Sequence, residues 1–179
     1  MKFSFKILFA FLAMAFAIVS CRTSEGDEPI SPTNPNTEIE GLTKIKEISN
    51  DTHIIELYSK SGSTNLGYND LKLRLKNKST NQYEKNATIS WTPLMHMTMM
   101  THSCPKSAVE KVTSDGSLYS GYIVFQMPGN DTEYWDLKID YTIGGTSYTA
   151  TTLINVPVET KKTVNSFLGS DNVRYVVAY

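Results

Sequence analysis

Trp91-Thr92-Pro93-Leu94-Met95-His96-Met97-Thr98-Met99-Met100-Thr101-His102-Ser103-Cys104-Pro105 is the stretch whose reading decides the fold. It holds four of the seven methionines, two of the three histidines and one of the two cysteines. Thr92, Thr98 and Thr101 are β-branched and lose rotamer freedom in a helix, and the flanking prolines break one. The segment therefore reads as a strand, whose side chains alternate between two faces. Met95, Met97 and Met99 fall on one face. His96, Met100, His102 and Cys104 fall on the other, with Thr98 between them. Unbranched thioethers are common core filler, so the first face either points into a core or forms a soft patch. On the second face, imidazole, thioether and thiol are side chains that suit Cu(I) and, in part, Zn(II) or Cu(II).

The neighbouring sequence has the same period of two. Leu71-Lys72-Leu73-Arg74-Leu75-Lys76 alternates as a half-buried strand does. His53 to Tyr58 reads as the first strand, and Ala87 to Thr92 leads into the Met/His stretch. Pro93 then has to sit at a bulge or an edge, because proline cannot donate to a ladder. Tyr119, Gly121, Ile123 and Phe125 alternate, as do Trp135, Leu137, Ile139 and Tyr141. Pro128-Gly129-Asn130-Asp131 and Ile143-Gly144-Gly145-Thr146 are turn signals, the second closing a hairpin with Ser147 to Val156. Lys106 to Ser117 is polar and reads as loop. Short strands, frequent turns and no sustained 3.6-residue period predict an all-β antiparallel sandwich. The expected domain, residues 51–157, is about one hundred residues, enough for one core.

The N-terminus carries an address. A basic start, Met1 to Lys6, is followed by an apolar run from Ile7 to Val19, the pattern of a signal peptide. That run is too short for a membrane span of ~20 residues. Ile18-Val19-Ser20-Cys21 resembles a bacterial lipobox, which implies cleavage before Cys21 and lipid on its thiol. Residues 1–20 are thus expected to be removed. Residues 21–50, rich in Pro, Thr, Asn and acids, are expected to form a disordered tether. Ser24-Glu25-Gly26-Asp27-Glu28 loosely resembles an acidic signal for export to the cell surface. The expected location is the cell envelope, on the outer membrane, at its periplasmic or surface face.

Loss of Lys2 and Lys6 leaves 15 basic side chains against 18 acidic ones, a net of −3. With no basic cluster, nucleic acid is not an expected partner. If Cys21 carries lipid, Cys104 has no intramolecular disulfide partner, and an unpaired thiol in an exported protein suggests reactivity or metal ligation. The tail divides at Pro157. Residues 158–179 form an extension ending in the β-rich run Val173 to Tyr179.

These residues together resemble the YtkA-like domain family over roughly Gly67 to Val156. The likeness rests on Pro93 to Pro105, on Tyr119-Ser120-Gly121-Tyr122-Ile123-Val124-Phe125-Gln126-Met127-Pro128, and on Tyr134-Trp135-Asp136-Leu137. It implies an exported immunoglobulin-like sandwich, often a lipoprotein, with a copper or heavy-metal role. Carried over residue by residue, it points to Met95, Met97, Met99 and His102. Some members hold two such domains, and Val173 to Tyr179 looks like the start of a second.

The residues thus predict a lipid-anchored metal-binding module rather than an enzyme, since no Ser/His/Asp set stands in a recognisable motif. His96, Met100, His102 and Cys104 are the first candidate ligands; Met95, Met97, Met99 and Met127 are the alternatives. Side chains at i and i+2 of a strand stand ~6.6–7 Å apart. Two ligands on one ion, at bonds of ~2–2.3 Å, sit at most ~4–5 Å apart. A flat strand therefore cannot close on one ion, and a bend after Thr101, helped by Pro105, is expected to bring His102 and Cys104 together with one methionine. The competing reading is a structural or interaction subunit with a Met-rich contact surface. A metal-efflux or other envelope protein is the expected partner, and the membrane is contacted through Cys21. Replacing Cys21 with Ser is expected to release the protein from membranes and to abolish lipid labelling, read by fractionation and by labelled fatty acid; unchanged fractionation and labelling would remove the anchor.

Overall fold

A computed structural model describes residues 37–161 and 163–179. The expected signal peptide, Cys21 and most of the expected tether lie outside the described residues. The described chain has one short 3-10 turn, Thr37–Ile39, and is otherwise strands and loops.

In chain order the strands are β1 (Thr43–Ser49), β2 (His53–Ser59), β3 (Gly67–Asn77), β4 (Ala87–His96), β5 (Thr101–His102), β6 (Glu110–Lys111), β7 (Tyr119–Phe125), β8 (Tyr134–Ile143), β9 (Thr146–Ile154), β10 (Val164–Leu168) and β11 (Arg174–Ala178). One sheet runs β1-β2-β3-β7-β6 and the other β5-β4-β8-β9. All pairings are antiparallel. From β2 to β9 this is the A-B-E-D and C′-C-F-G arrangement of an immunoglobulin-like sandwich, with β1 added at an edge. The expected all-β sandwich is the fold observed.

Alternation explains the core. Leu71, Leu73 and Leu75 from β3 and Ile123 and Phe125 from β7 face Trp135, Leu137, Ile139 and Tyr141 from β8. Trp91, on the strand equivalent to C, is also buried, and its indole N–H donates to the Ser107 carbonyl at 3.2 Å. Gly121 is required beneath it, since a Cβ there would lie 2.6 Å from the Trp91 ring. Pro93 is accommodated as an edge residue. It pairs with Leu137 on one side, and β5 covers only Met95 and His96 on the other. Gly144 and Gly145 have positive φ (56° and 84°), the backbone a two-residue β8–β9 turn of the twist-matched type demands.

Three expectations are corrected. The segment assigned to the tether, residues 21–50, contains β1, which pairs with β2 from Thr43 to Ser49. As an edge strand it buries only Ile48, so its sequence lacks a strong apolar period. The polar run Lys106 to Ser117 contains β6, a two-residue edge pairing to β7. The tail Val173 to Tyr179 pairs with neither sheet of the sandwich. It folds back on Val164–Leu168 as a hairpin, with Phe167 stacked on Tyr175 at 5.6 Å. Thr163 fixes the base of that hairpin: its hydroxyl donates to the Leu66 carbonyl at 2.7 Å, and its carbonyl accepts from Tyr179 N–H at 3.1 Å.

Trp135 joins the two layers: it is fully buried, meets Phe125 edge-on at 5.0 Å, and donates its indole N–H to the Met127 carbonyl at 2.9 Å. Trp135→Ala is expected to cost about 3–5 kcal/mol of stability, measured by denaturant unfolding; a loss within experimental error would refute this packing.

Candidate metal centre

The Met/His stretch is a hairpin and not one extended strand. β4 ends at His96, the chain turns through Thr98 and Met99, and β5 returns along it with Met95 opposite His102 and His96 opposite Thr101. Met97 N–H donates to the Met100 carbonyl at 2.9 Å, continuing that register to the turn. The expected bend after Thr101 therefore comes earlier, at residues 97–100. The turn also reassigns the faces, because reversing the chain puts cross-strand partners, rather than every second residue, on one side.

On the inner face stand Met95, Met97, Met100 and His102. Met95 is fully buried in the core, and Met97 packs against the core from its edge. Met100 is 62 % exposed, while Met99, at the apex of the turn, is 89 % exposed. The thioether face expected from Met95, Met97 and Met99 is thus divided into a core residue, a rim residue and a solvent-exposed apex. Met127, in the loop that follows β7, is half-buried against the same core. Trp135 is the common neighbour: it pairs with Met95, its ring meets the His102 ring edge-on at 5.7 Å, and the Met127 carbonyl takes its N–H.

The expected set His96, Met100, His102 and Cys104 does not share a face. His96 lies on the outer side of the sheet. Its Nε2 is 2.6 Å from Asp136 Oδ2, and its ring stacks on Tyr134 at 4.8 Å. Asp136 reaches it because Leu94 pairs with Asp136 and His96 with Tyr134. Lys138 bonds Asp140 instead, at 3.0 Å. The Asp136–His96 pair was hidden in the sequence, where the two residues stand 40 positions apart. Asp136 Oδ1 is buried without a hydrogen-bond partner.

The two remaining candidates differ in readiness. His102 Nδ1 lies 3.0 Å from the Ser103 carbonyl. A carbonyl only accepts, so Nδ1 carries the hydrogen and the neutral ring keeps its lone pair on Nε2. This is how a ligating histidine is usually oriented. Cys104 is a free cysteine, only 7 % exposed, and burial pushes its thiol up to about 12, with Lys106 offsetting little. A thiol there opposes the thiolate form that metal ligation requires. Among the described residues no three His, Cys, Asp or Glu side chains gather into a group able to hold an ion. A site at this end has to draw on thioethers.

No family model and no curated protein matches the chain.

At neutral pH in native protein, Cys104 is expected to resist alkylation for hours and to react at once on unfolding. Peptide mass spectrometry at position 104 reads this directly; rapid native labelling would mean that the thiol is not buried as described.

Proposed function

We propose that this chain is an exported, lipid-anchored module that binds a soft metal ion, Cu(I), at the open end of its sandwich. Met97, Met100 and His102 Nε2 are the ligands, with Met95, Met127 and Cys104 behind them. The observation that supports this reading is the hairpin register, which puts two thioethers and an oriented imidazole on one face beside Trp135. Directly opposed residues on neighbouring strands have Cβ atoms ~4.5–5.5 Å apart. That spacing brings the Met97 and Met100 thioethers to within the ~4–5 Å that two ligands on one ion need, and His102, diagonal to Met97 at ~7–8 Å, is still within reach of such long side chains. Neutral thioether and imidazole ligands bind without losing a proton and match the softness of Cu(I).

A second reading, an interaction subunit with a Met-rich contact surface, draws on the exposure of Met99 and Met100. Methionine surfaces adapt to many partners.

Anaerobic competition with a coloured Cu(I) chelator separates the two. The parent protein is expected to withdraw Cu(I), with quenching of tryptophan fluorescence. A Met97→Leu, Met100→Leu, His102→Ala variant is expected to lose at least about tenfold in affinity, ~1.4 kcal/mol. His96→Ala is expected to bind like the parent, because His96 is on the other face. Equal affinity in parent and triple variant would end the proposal, and a loss confined to His96→Ala would move the site to the outer face.

A further inference from the structure

Met99 occupies a position that neither packing nor turn chemistry explains. Two-residue turns favour Gly, Asn, Asp and Pro, each for a conformational reason. Here the apex is Thr98-Met99, and neither residue has the positive φ that Gly or Asn would supply. Met99 is 89 % exposed, the most exposed of the large apolar side chains described. It contributes nothing to the core, whereas Met95 and Met97 do. It is also separated from the inner-face ligands by the turn itself, one residue from Met100 and two from Met97.

Exchange of Cu(I) between two holders passes through a state in which both contribute ligands. Met97 is half-buried and His102 lies against Trp135, so neither reaches easily beyond the surface of the domain. A thioether on three rotatable bonds at the apex can reach an incoming Cu(I) complex and then fold back toward Met100. We infer that Met99 is the entry and exit ligand of this site, taking Cu(I) from a soft-ligand donor and passing it to Met97, Met100 and His102. This rests on the Cu(I) reading above. The step is ligand exchange only: one bond from copper to the donor is replaced by one to the Met99 sulfur, and no electron or proton is transferred.

A relay ligand lowers the barrier in both directions and leaves the end states alone. Stopped-flow transfer of Cu(I) from its bicinchoninate complex to the purified protein, and back to excess chelator, reads both rates. Met99→Leu and Met99→Ala are each expected to slow loading and unloading together by about tenfold, within the range over which association rates vary among related variants. The ratio of the two rates, and so the affinity, stays close to that of the parent. Leucine keeps the apolar bulk without sulfur, so its failure to rescue assigns the effect to the thioether. Parent-like rates in both variants overturn the inference while leaving the binding site intact. A fall in affinity that matches the fall in loading rate also overturns it, by making Met99 a resident ligand. A parent protein that takes no Cu(I) at all overturns the metal reading itself, and with it this role.

Discussion

The pairing of β4 with β8 is the constraint on which the rest depends. It runs unbroken through ten residue pairs, from Ala87 opposite Ile143 to His96 opposite Tyr134. Because side chains alternate with a period of two, a slip of one residue would send every inward side chain outward. Either Trp91 and Met95 of β4 or Trp135, Leu137 and Ile139 of β8 would leave the core, so the register is held by burial along its whole length. The same register holds the chemistry. It aligns His96 with Tyr134 and Leu94 with Asp136 on the outer face, and Met95 with Trp135 on the inner one. The β4–β5 hairpin extends from this pairing, so the candidate ligands are positioned by the most heavily bonded part of the molecule.

The other sheet carries its own fixed point on its outer face. Arg74 is 2 % exposed, although its position in an alternating strand would put it in solvent. Its guanidinium donates to Glu56 Oε2 at 2.9 Å and lies over the Tyr83 ring at 3.9 Å. Burial alone would raise the Glu56 carboxyl, but hydrogen bonds from Lys44, Tyr58 and Arg74 overcome it and hold the group at about 2. A buried ion pair adds little net stability when complete, yet removing one member costs several kcal/mol. The cluster ties β1, β2 and β3 to the loop that carries Tyr83, which bridges back to Lys76. It fixes the arrangement of that sheet.

What the sequence revealed, and what it concealed, follows from where burial acts. Leu71, Leu73 and Leu75, and Trp135 to Tyr141, show their period because one face of each strand is buried and the other is wet. β1 does not show it, because an edge strand with one buried residue needs no pattern. The β10–β11 hairpin was missed for the converse reason. Its turn residues Gly169 to Asn172 are conventional, and Asn172 takes the left-handed conformation at φ 62°, but the polar run before them masked β10. In the β4–β5 hairpin, residue types were legible and their arrangement was not. Nothing in Met97-Thr98-Met99-Met100 marks a reversal, so an even-odd division placed His96 with His102. Only the pairing to β8 and β5 separates them. Arg74 was read as solvated for the same reason: strand periodicity says nothing of a loop that folds over the outer face.

The hairpin also resolves a conflict between strand geometry and coordination geometry. Along a strand, same-face side chains stand too far apart for one ion, whereas across strands they approach to the separation that two ligands need. A metal site on a sheet is therefore begun across a pairing, as by Met97 and Met100, with a third ligand such as His102 reaching in diagonally, and the shortest pairing that gathers a run of nearby residues is a hairpin within that run. The ligands so gathered are neutral. In the proposed Cu(I) site two thioethers and an imidazole would stand at the rim, with the Cys104 thiol buried behind them, so that no ligand would be anionic. Such a site holds its ion without the strong charge attraction of a thiolate, and an incoming soft ligand can displace the ion without first protonating anything. Lability of this kind would suit the proposed role of receiving and passing on a metal, and it would follow from which sulfur is buried and which are not.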